Sequence, residues 1–205
     1  MRSNCNFDKE RSLLKKNYTT ICGIDEVGRG AIFGPVVAGA VILNPKKLNN
    51  EINDSKKLTH KKRLELSGYI YENALAYSIG WCWNDEIDAS NIVEATKKSI
   101  KMAVKGLQIL PDYVLLDGMK PDFITIEGEG IIKGDNKSLS IAAASIIAKV
   151  FRDQLLISFS RFFPEYRFQK NKGYPTRDHV HAVSSKGITE FHRKSFRKSK
   201  WQIND

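Results

Sequence analysis

The sequence is poor in cysteine, and its few cysteines are not spaced as metal ligands. Cys5, Cys22 and Cys82 are the only three, and they form no Cys-x-x-Cys pair. The sequence therefore indicates neither a zinc ribbon nor a disulfide framework, and reduced thiols are typical of cytosolic proteins. The four histidines show no ligand spacing with these cysteines either, so we assign no histidine to catalysis.

The sequence also lacks long apolar runs. None of its runs is long enough to span a bilayer, and residues 1–16 alternate in charge without the apolar stretch of a signal peptide. A Gly-x-x-x-x-Gly-Lys phosphate loop is absent too, which argues against the nucleotide-binding phosphotransferases that use one. We therefore expect a soluble cytoplasmic protein without a membrane partner.

Positive charge is present in excess. Lys and Arg number 33 against 23 Asp and Glu, which gives a net charge of +10. Such an excess favours a polyanionic partner, most often nucleic acid, over a basic surface that binds nothing. The length of 205 residues and the hydrophobic content of 41% suit one domain with a sizeable core.

Hydrophobic periodicity predicts both strands and helices. Apolar runs and period-two alternation indicate five strands, the last one weak, over residues 20–27, 36–43, 75–83, 113–117 and 123–127. Helical spacing and caps indicate helices over residues 7–15, 59–73, 90–107, 138–162 and 176–185, with a break at 85–89. The first two strands are expected to pair antiparallel, and the crossover helices then require parallel pairing. The prediction is an α/β protein with a mixed central sheet flanked by helices.

Acidic residues stand at the ends of two predicted strands and before the longest predicted helix. Asp25 and Glu26 end the first strand, Asp117 ends the fourth, and Asp135 precedes the helix. If the two strands are neighbours, their carboxylates meet at one edge of the sheet. Four carboxylates suit hard divalent ions such as Mg²⁺ or Mn²⁺, and a pair of ions about 4 Å apart is typical of phosphoryl-transfer sites.

Structural explanations of the same residues remain open at this point. The pair Asp117-Gly118 is also typical of a hairpin turn, and Asp135 is compatible with a solvated loop or with capping beside Ser138. In that case the protein is a basic nucleic-acid-binding module without chemistry. Four clustered carboxylates favour the enzyme, because they weaken DNA binding unless a metal neutralises them. The basic run at residues 193–200 is either a solvated tail or an additional contact to duplex.

Eight short segments follow one another along the chain. They are GIDEVGRG (23–30), GPVV (34–37), DSKKL (54–58), LDG (116–118), KGD (133–135), SIAAASIIAK (140–149), KGYPT (172–176) and HRKSF (192–196). In this order they resemble the ribonuclease HII family over about residues 20–196. About twenty residues precede the first segment, which favours this family over ribonuclease HIII with its additional N-terminal domain. One position departs from the family, because Ala31 stands where proline is common, and we expect a slightly looser turn there without loss of activity.

The resemblance implies a ribonuclease-H-like fold and a metal-dependent endonuclease. Residues 1–19 would form a tail or short helix, and residues 20–205 the catalytic domain, including a C-terminal helical extension. The implied reactions are cleavage of the RNA strand of RNA/DNA hybrids and incision of duplex DNA 5′ to a single ribonucleotide, leaving 3′-hydroxyl and 5′-phosphate ends. The implied cofactor is Mn²⁺ or Mg²⁺, and we expect a monomer.

The matching motifs also imply roles for eight residues. The metal-binding and catalytic acids would be Asp25, Glu26, Asp117 and Asp135. The ribose 2′-hydroxyl and a nearby phosphate would be contacted by Gly28, Arg29 and Gly30, and the ribonucleotide at the RNA–DNA junction would be recognised by Tyr174. The 2′-hydroxyl is what separates RNA from DNA, and backbone groups of glycine can approach it closely. Arg29, Lys56 and Lys149 are candidates for phosphate contacts, which do not read the bases.

Overall fold

A mixed five-stranded sheet forms the centre of the protein in a computed structural model that describes residues 5–196. The strands are β1 (Ile21–Val27), β2 (Val36–Ile42), β3 (Ala76–Cys82), β4 (Tyr113–Asp117) and β5 (Gly128–Ile131), in the order β3-β2-β1-β4-β5. Strand β2 pairs antiparallel with β1 and β3, whereas β4 pairs parallel with β1 and β5. The predicted mixed sheet and the antiparallel pairing of the first two strands are confirmed.

Most of the predicted helices begin at the predicted caps. The helices are α1 (Asp8–Leu14), α2 (His60–Asn73), α3 (Asn84–Ala89), α4 (Ile92–Lys105), α5 (Leu139–Phe159), α6 (Phe168–Asn171) and α7 (Arg177–Lys186). The side chain of Thr59 accepts a hydrogen bond from the amide of Lys62 at 3.2 Å, and that of Ser138 accepts one from the amide of Ile141 at 3.2 Å. These bonds satisfy amides that have no partner within the first turn of a helix.

Helices cover both faces of the sheet. Helix α5 packs against β1 and β2 on one face, and α4 packs against β2 and β3 on the other. Along β1, Ile24 belongs to the apolar cluster that contains Ile100 of α4, whereas a Cβ atom at Gly23 would lie 2.1 Å from the backbone of Ser140 in α5. Because side chains alternate along a strand, Asp25 lies on the α5 face of β1 and Glu26 on the α4 face.

The predicted fifth strand was placed too early in the chain. Strand β5 lies at Gly128–Ile131, and the apolar side chains within residues 123–127 pack instead against the core cluster below the sheet. Their alternation favoured a strand, whereas glycine and glutamate are depleted in strands. Glycine is required in β5 because a Cβ atom at Gly128 would lie 2.3 Å from Val114 and 2.5 Å from its carbonyl oxygen.

The predicted break at residues 85–89 is wrong, because these residues belong to α3. A carboxylate oxygen of Glu86 accepts the amide of Trp83 at 3.2 Å and so stabilises the start of this short helix. The next helix begins after Asn91, whose side-chain oxygen accepts the amides of Val93 and Glu94. The sequence pattern did not reveal the six-residue helix α3, and it placed the start of the next helix at residue 90.

The N-terminal segment forms a short helix that packs on the domain. Glu10 of α1 is fully buried, and one of its oxygens accepts the Ser138 hydroxyl at 2.6 Å and the Ser140 amide at 2.9 Å. The short-helix alternative is therefore confirmed, and the loose tail is wrong for residues 8–14. The domain boundary at residue 20 stays a prediction. Residues 197–200 of the predicted basic run, and the final five residues, lie outside the described part of the chain.

All three cysteines are free and buried. Within residues 5–196, the helices are too short or too polar to cross a membrane. The C-terminal helical extension that was predicted corresponds to α6 and α7, which follow the end of α5.

Candidate active site

Two acids meet at the carboxyl end of the central parallel strand pair. Strands β1 and β4 are neighbours, and Ile24 pairs with Leu116, so Asp25 and Asp117 lie side by side at one edge of the sheet. The amide of Gly134 donates to a carboxylate oxygen of Asp117 at 2.6 Å and brings the Asp135 loop to the same edge. One carboxylate oxygen from each of Asp25, Asp117 and Asp135 lies within 4.8 Å of the others.

The hairpin alternative for Asp117-Gly118 is wrong, because β4 and β5 run parallel. Asp135 is buried rather than solvated, so the solvated-loop alternative is wrong as well. The sheet order therefore assembles three of the four predicted acids from positions far apart in the sequence. We call this group of three carboxylates the acidic edge.

Glu26 lies beside the acidic edge rather than within it. Its position on the opposite face of β1 directs its carboxylate to Arg29, whose guanidinium lies 3.1 Å from one oxygen. The other oxygen, Oε2, is buried and has no hydrogen-bond partner among the described residues. A buried carboxylate oxygen without a donor is costly, and it remains available to a ligand.

Little positive charge lies near the acidic edge. Burial raises the pKa of Asp25 well above its usual range, repulsion from Glu26 adds to the shift, and a hydrogen bond from Ser145 partly opposes it. Burial also raises the pKa of Glu26 and of Asp117. The ammonium group of Lys56 lies 3.5 Å from Asp135, but its side chain is 80% exposed. This all-oxygen set, in which burial raises the pKa of Asp25 and of Asp117, fits a divalent cation such as Mg²⁺ or Mn²⁺.

Asp54 supports the acidic edge, although the sequence did not single it out as a site residue. It is buried, and one oxygen accepts the amide of Lys56 at 2.9 Å. Its other oxygen accepts the side-chain amide of Asn136 at 3.3 Å, and Asn136 also donates to Asp135 at 2.8 Å. Asp54 thereby fixes the backbone that carries Lys56 and the side chain that holds Asp135.

The Gly28-Arg29-Gly30 turn directly follows β1. Gly28 has a φ of +90°, and a Cβ atom there would lie 2.2 Å from Nε of Arg152, so the position accepts only glycine without a rearrangement. The amide of Ala31 donates to the carbonyl of Gly28 at 3.2 Å. Proline has no such donor, so the alanine adds a hydrogen bond to the turn that we expected it to loosen.

Arg152 joins this turn to the Tyr174 loop. It is fully buried in α5 and donates to the carbonyls of Phe33 at 3.1 Å, Pro35 at 3.0 Å and Lys172 at 2.9 Å. Backbone carbonyls thereby replace water around the guanidinium. The spacing of residues along α5 does not predict that Arg152 is buried, because its partners lie in distant segments of the chain.

Tyr174 lies close to Arg152, which borders the Gly28-Arg29-Gly30 turn. Tyr174 and this turn were predicted to contact the same ribonucleotide. The ring centre of Tyr174 is 5.3 Å from the guanidinium carbon of Arg152 and 5.9 Å from the ammonium of Lys149. The carbonyl of the preceding residue, Gly173, accepts the amide of Ile32 at 2.9 Å. We call residues 28–35 and 172–176 the substrate loops, after the substrate contacts that were predicted for residues 28–30 and 174. All eight predicted site residues therefore lie on the acidic edge, directly beside it or on these loops.

Arg193 is a second buried arginine that the sequence did not reveal. It donates to the carbonyls of Gly34 at 2.9 Å and Arg29 at 3.2 Å. The sequence placed it in a basic run that was interpreted as either a solvated tail or an additional contact to duplex, and the burial of Arg193 fits neither alternative at this position.

Comparisons with known proteins agree with this arrangement. A model of the ribonuclease HII family matches residues 22–202. The ribonuclease HII of Caldicellulosiruptor saccharolyticus is 44% identical over 193 residues, which cover 94% of each chain. A ribonuclease HII from Archaeoglobus fulgidus, solved in complex with PCNA, has a TM-score of 0.74 at 23% identity, covering 90% of this chain and 98% of that chain. Bst-RNase HIII in complex with Mn²⁺ has a TM-score of 0.71 at 18% identity, covering 90% and 69%. The predicted family and the ribonuclease-H-like fold are confirmed.

Proposed function

Because the chain belongs to the ribonuclease HII family, we propose that it is an endoribonuclease that depends on a divalent metal. Its substrates are RNA/DNA hybrids, in which it cleaves the RNA strand, and duplex DNA with an embedded single ribonucleotide. In the second substrate the incision lies 5′ to the ribonucleotide and leaves 3′-hydroxyl and 5′-phosphate ends. The observation that carries this proposal is the position of the three carboxylates of the acidic edge, within 4.8 Å of one another, next to the two substrate loops.

The acids are assigned to metal binding and catalysis. Asp25, Asp117 and Asp135 would hold the metal, and Glu26 would contribute its buried oxygen without a hydrogen-bond partner. Bound divalent ions supply positive charge that offsets the charge developing on the reacting phosphate. Mg²⁺ and Mn²⁺ both prefer such oxygen ligands, so we assign the site to either ion.

The substrate loops are assigned to recognition of the ribonucleotide. Gly28 and Gly30 would present backbone groups to the 2′-hydroxyl, and Tyr174 would pack on the sugar at the RNA–DNA junction. Arg29 is partly exposed beside Glu26, where its guanidinium can reach a phosphate. Lys56 and Lys149 would add phosphate contacts that are independent of base sequence.

The charge of the protein supports this choice of substrate. The net charge of +10 attracts the phosphate backbone over long distances, and the resulting affinity weakens with salt. We infer that the protein acts in the cytoplasm as a monomer.

A labelled DNA duplex with one ribonucleotide tests the proposed function. Incubation with Mg²⁺ or Mn²⁺ is expected to give one cut, 5′ to the ribonucleotide, and chelator is expected to abolish it. The matched control is the all-DNA duplex of the same sequence, which should stay intact. Cutting that survives chelation, or cutting of the all-DNA control at the same rate, would overturn the proposal.

A further inference from the structure

Two buried histidines connect the C-terminal segment to the backbone of Tyr174. His179 of α7 and His192 are both fully buried, and their Nε2 atoms lie 3.2 Å apart. Nδ1 of His179 lies 2.9 Å from the carbonyl oxygen of Tyr174. We propose that His179 and His192 form a hydrogen-bonded relay that positions Tyr174 for recognition of the ribonucleotide. This inference rests on the proposed function.

The backbone partners of the relay fix the direction of three hydrogen bonds in it. A carbonyl oxygen only accepts, so Nδ1 of His179 carries a proton and donates to Tyr174. The neutral ring then has a lone pair on Nε2, which accepts a hydrogen bond from the N–H group at Nε2 of His192. His192 is thus left with a lone pair on Nδ1, and the amide of Thr189 donates to that atom at 2.9 Å. One arrangement of neutral tautomers satisfies all three contacts.

The surroundings of the relay favour the neutral rings. His192 contacts the ring of Phe33 edge-on with centres 5.0 Å apart, and His179 contacts Phe168 edge-on at 5.4 Å. Burial lowers the pKa of His179, and burial together with repulsion from His179 lowers the pKa of His192 to about 3. Neither histidine is therefore a proton donor for the reaction at neutral pH, and a structural relay is the role that remains.

Tyr174 is held at several points, and the relay supplies one of them. Its carbonyl also accepts the amide of Thr176 at 2.8 Å, while the preceding Gly173 is bonded to Ile32. The phenol ring lies over Arg152. Through Nδ1 of His179 the relay bonds to the backbone of Tyr174, which lies on a different segment of the chain from the strand ends that carry Asp25 and Asp117. Its loss should therefore displace the tyrosine and leave the acidic edge in place.

Substitution of His179 separates this role from simple stabilisation. His179→Leu removes the donor to Tyr174, and His179→Asn keeps an N–H group at nearly the same position as Nδ1. The matched control is His181→Asn, because His181 is an exposed histidine on the same helix. The measurement is kcat/KM on the single-ribonucleotide duplex and on a long RNA/DNA hybrid.

The ratio of interest is kcat/KM on the single-ribonucleotide duplex divided by kcat/KM on the long hybrid. We expect His179→Leu to lower this ratio about tenfold, because a small displacement of a positioning group lowers the rate strongly. His179→Asn should recover most of that loss, and His181→Asn should match the unsubstituted protein. Equal losses on both substrates, or no recovery with asparagine, would overturn the relay. Absence of hybrid cleavage by the unsubstituted protein would instead overturn the proposed function.

Two further measurements apply if the leucine variant does not fold. His192→Phe keeps an aromatic ring in place and removes the donor to His179, and it should lower the same ratio by a smaller factor. Long-range ¹H–¹⁵N spectra of histidine-labelled protein should show the proton of His179 on Nδ1 and that of His192 on Nε2. The opposite tautomers, or an unchanged ratio in His192→Phe, would contradict the relay.

Discussion

The acidic edge and the substrate loops are neighbours in the structure, yet they are built in opposite ways. The edge brings three acidic side chains together, two of them at the ends of paired strands. Burial raises the pKa of these two, Asp25 and Asp117. The loops are irregular backbone whose carbonyls bind two buried arginines, Arg152 and Arg193. The edge therefore needs a cation to balance its charge, whereas the loops already have their partners within the chain.

This difference in construction suits the two proposed roles, metal binding at the edge and recognition of the ribonucleotide by the loops. Strand ends are set by the hydrogen-bonded register of the sheet, which suits groups that must hold a metal at fixed spacing. The two loops are instead linked by single contacts, because the buried Arg152 donates to carbonyls of both loops and the amide of Ile32 donates to the carbonyl of Gly173. Substitutions in the edge should affect every substrate, and substitutions in the loops should affect substrates unequally.

The largest effect is expected from removing one charge of the acidic edge. Asp117→Asn should lower cleavage of both substrates about a thousandfold, because several kcal/mol of charge stabilisation are lost. The unfolding temperature in chelator should stay the same or rise, since repulsion within the edge decreases. The exposed Asp122 provides the control substitution Asp122→Asn. Turnover of either substrate by pure Asp117→Asn protein at the unsubstituted rate would exclude Asp117 from the site.

The next largest effect is expected in the substrate loops. Gly28→Ala places a Cβ atom 2.2 Å from Nε of Arg152 at a φ of +90°, so the turn or the arginine must shift. We expect about a hundredfold loss on the single-ribonucleotide duplex and a smaller loss on the hybrid. Gly187→Ala is the control, because Gly187 has a φ of +84° and open space around it. If both variants behave alike, backbone strain rather than contact with Arg152 explains the loss.

A smaller effect is expected below the acidic edge, where Glu10 holds the start of α5. Glu10→Ala leaves the Ser138 hydroxyl and Ser140 amide without their buried acceptor, and we expect the free energy of unfolding to fall by about 2 kcal/mol. Denaturant unfolding measures this change. Asp8→Ala on the same helix is the control, because its ion pair with Arg11 is exposed and should contribute little. A loss no larger than that of Asp8→Ala would show that Glu10 does not anchor α5.

The smallest effect concerns pH and the histidine relay. Both histidines have a pKa below the usual 6.5, about 3 for His192. A lowered pKa means that the neutral form stabilises the fold fully above pH 6.5, and that this contribution is lost as the pH falls towards 3. His192→Phe should reduce the loss of stability between pH 8 and pH 6 by about 1 kcal/mol. An unchanged pH dependence, measured beside His181→Asn, would show that His192 is not kept neutral by the fold.

Sequence patterns were sufficient for most of the fold, and the exceptions have physical reasons. The strand at Tyr113–Asp117 and the helix after Ser138 follow from apolar runs and caps, which act locally. Strand β5 was misplaced because Gly128 is required by the close approach of Val114, a contact from another strand. The packing of α1 on the start of α5 was not predicted, because the burial of Glu10 depends on residues more than a hundred positions away in the sequence.

The sequence by itself determined which residues are acids, which turns must contain glycine, and, through the order of its motifs, the family. Only the tertiary structure decided how these parts work together. The order of the strands placed Asp25 beside Asp117, and the alternation of β1 turned Glu26 towards Arg29. The burial of Arg152 placed its guanidinium between the turn at Gly28 and the ring of Tyr174. Local patterns report what one segment can become, whereas charge balance and distance between segments arise only when the segments pack together.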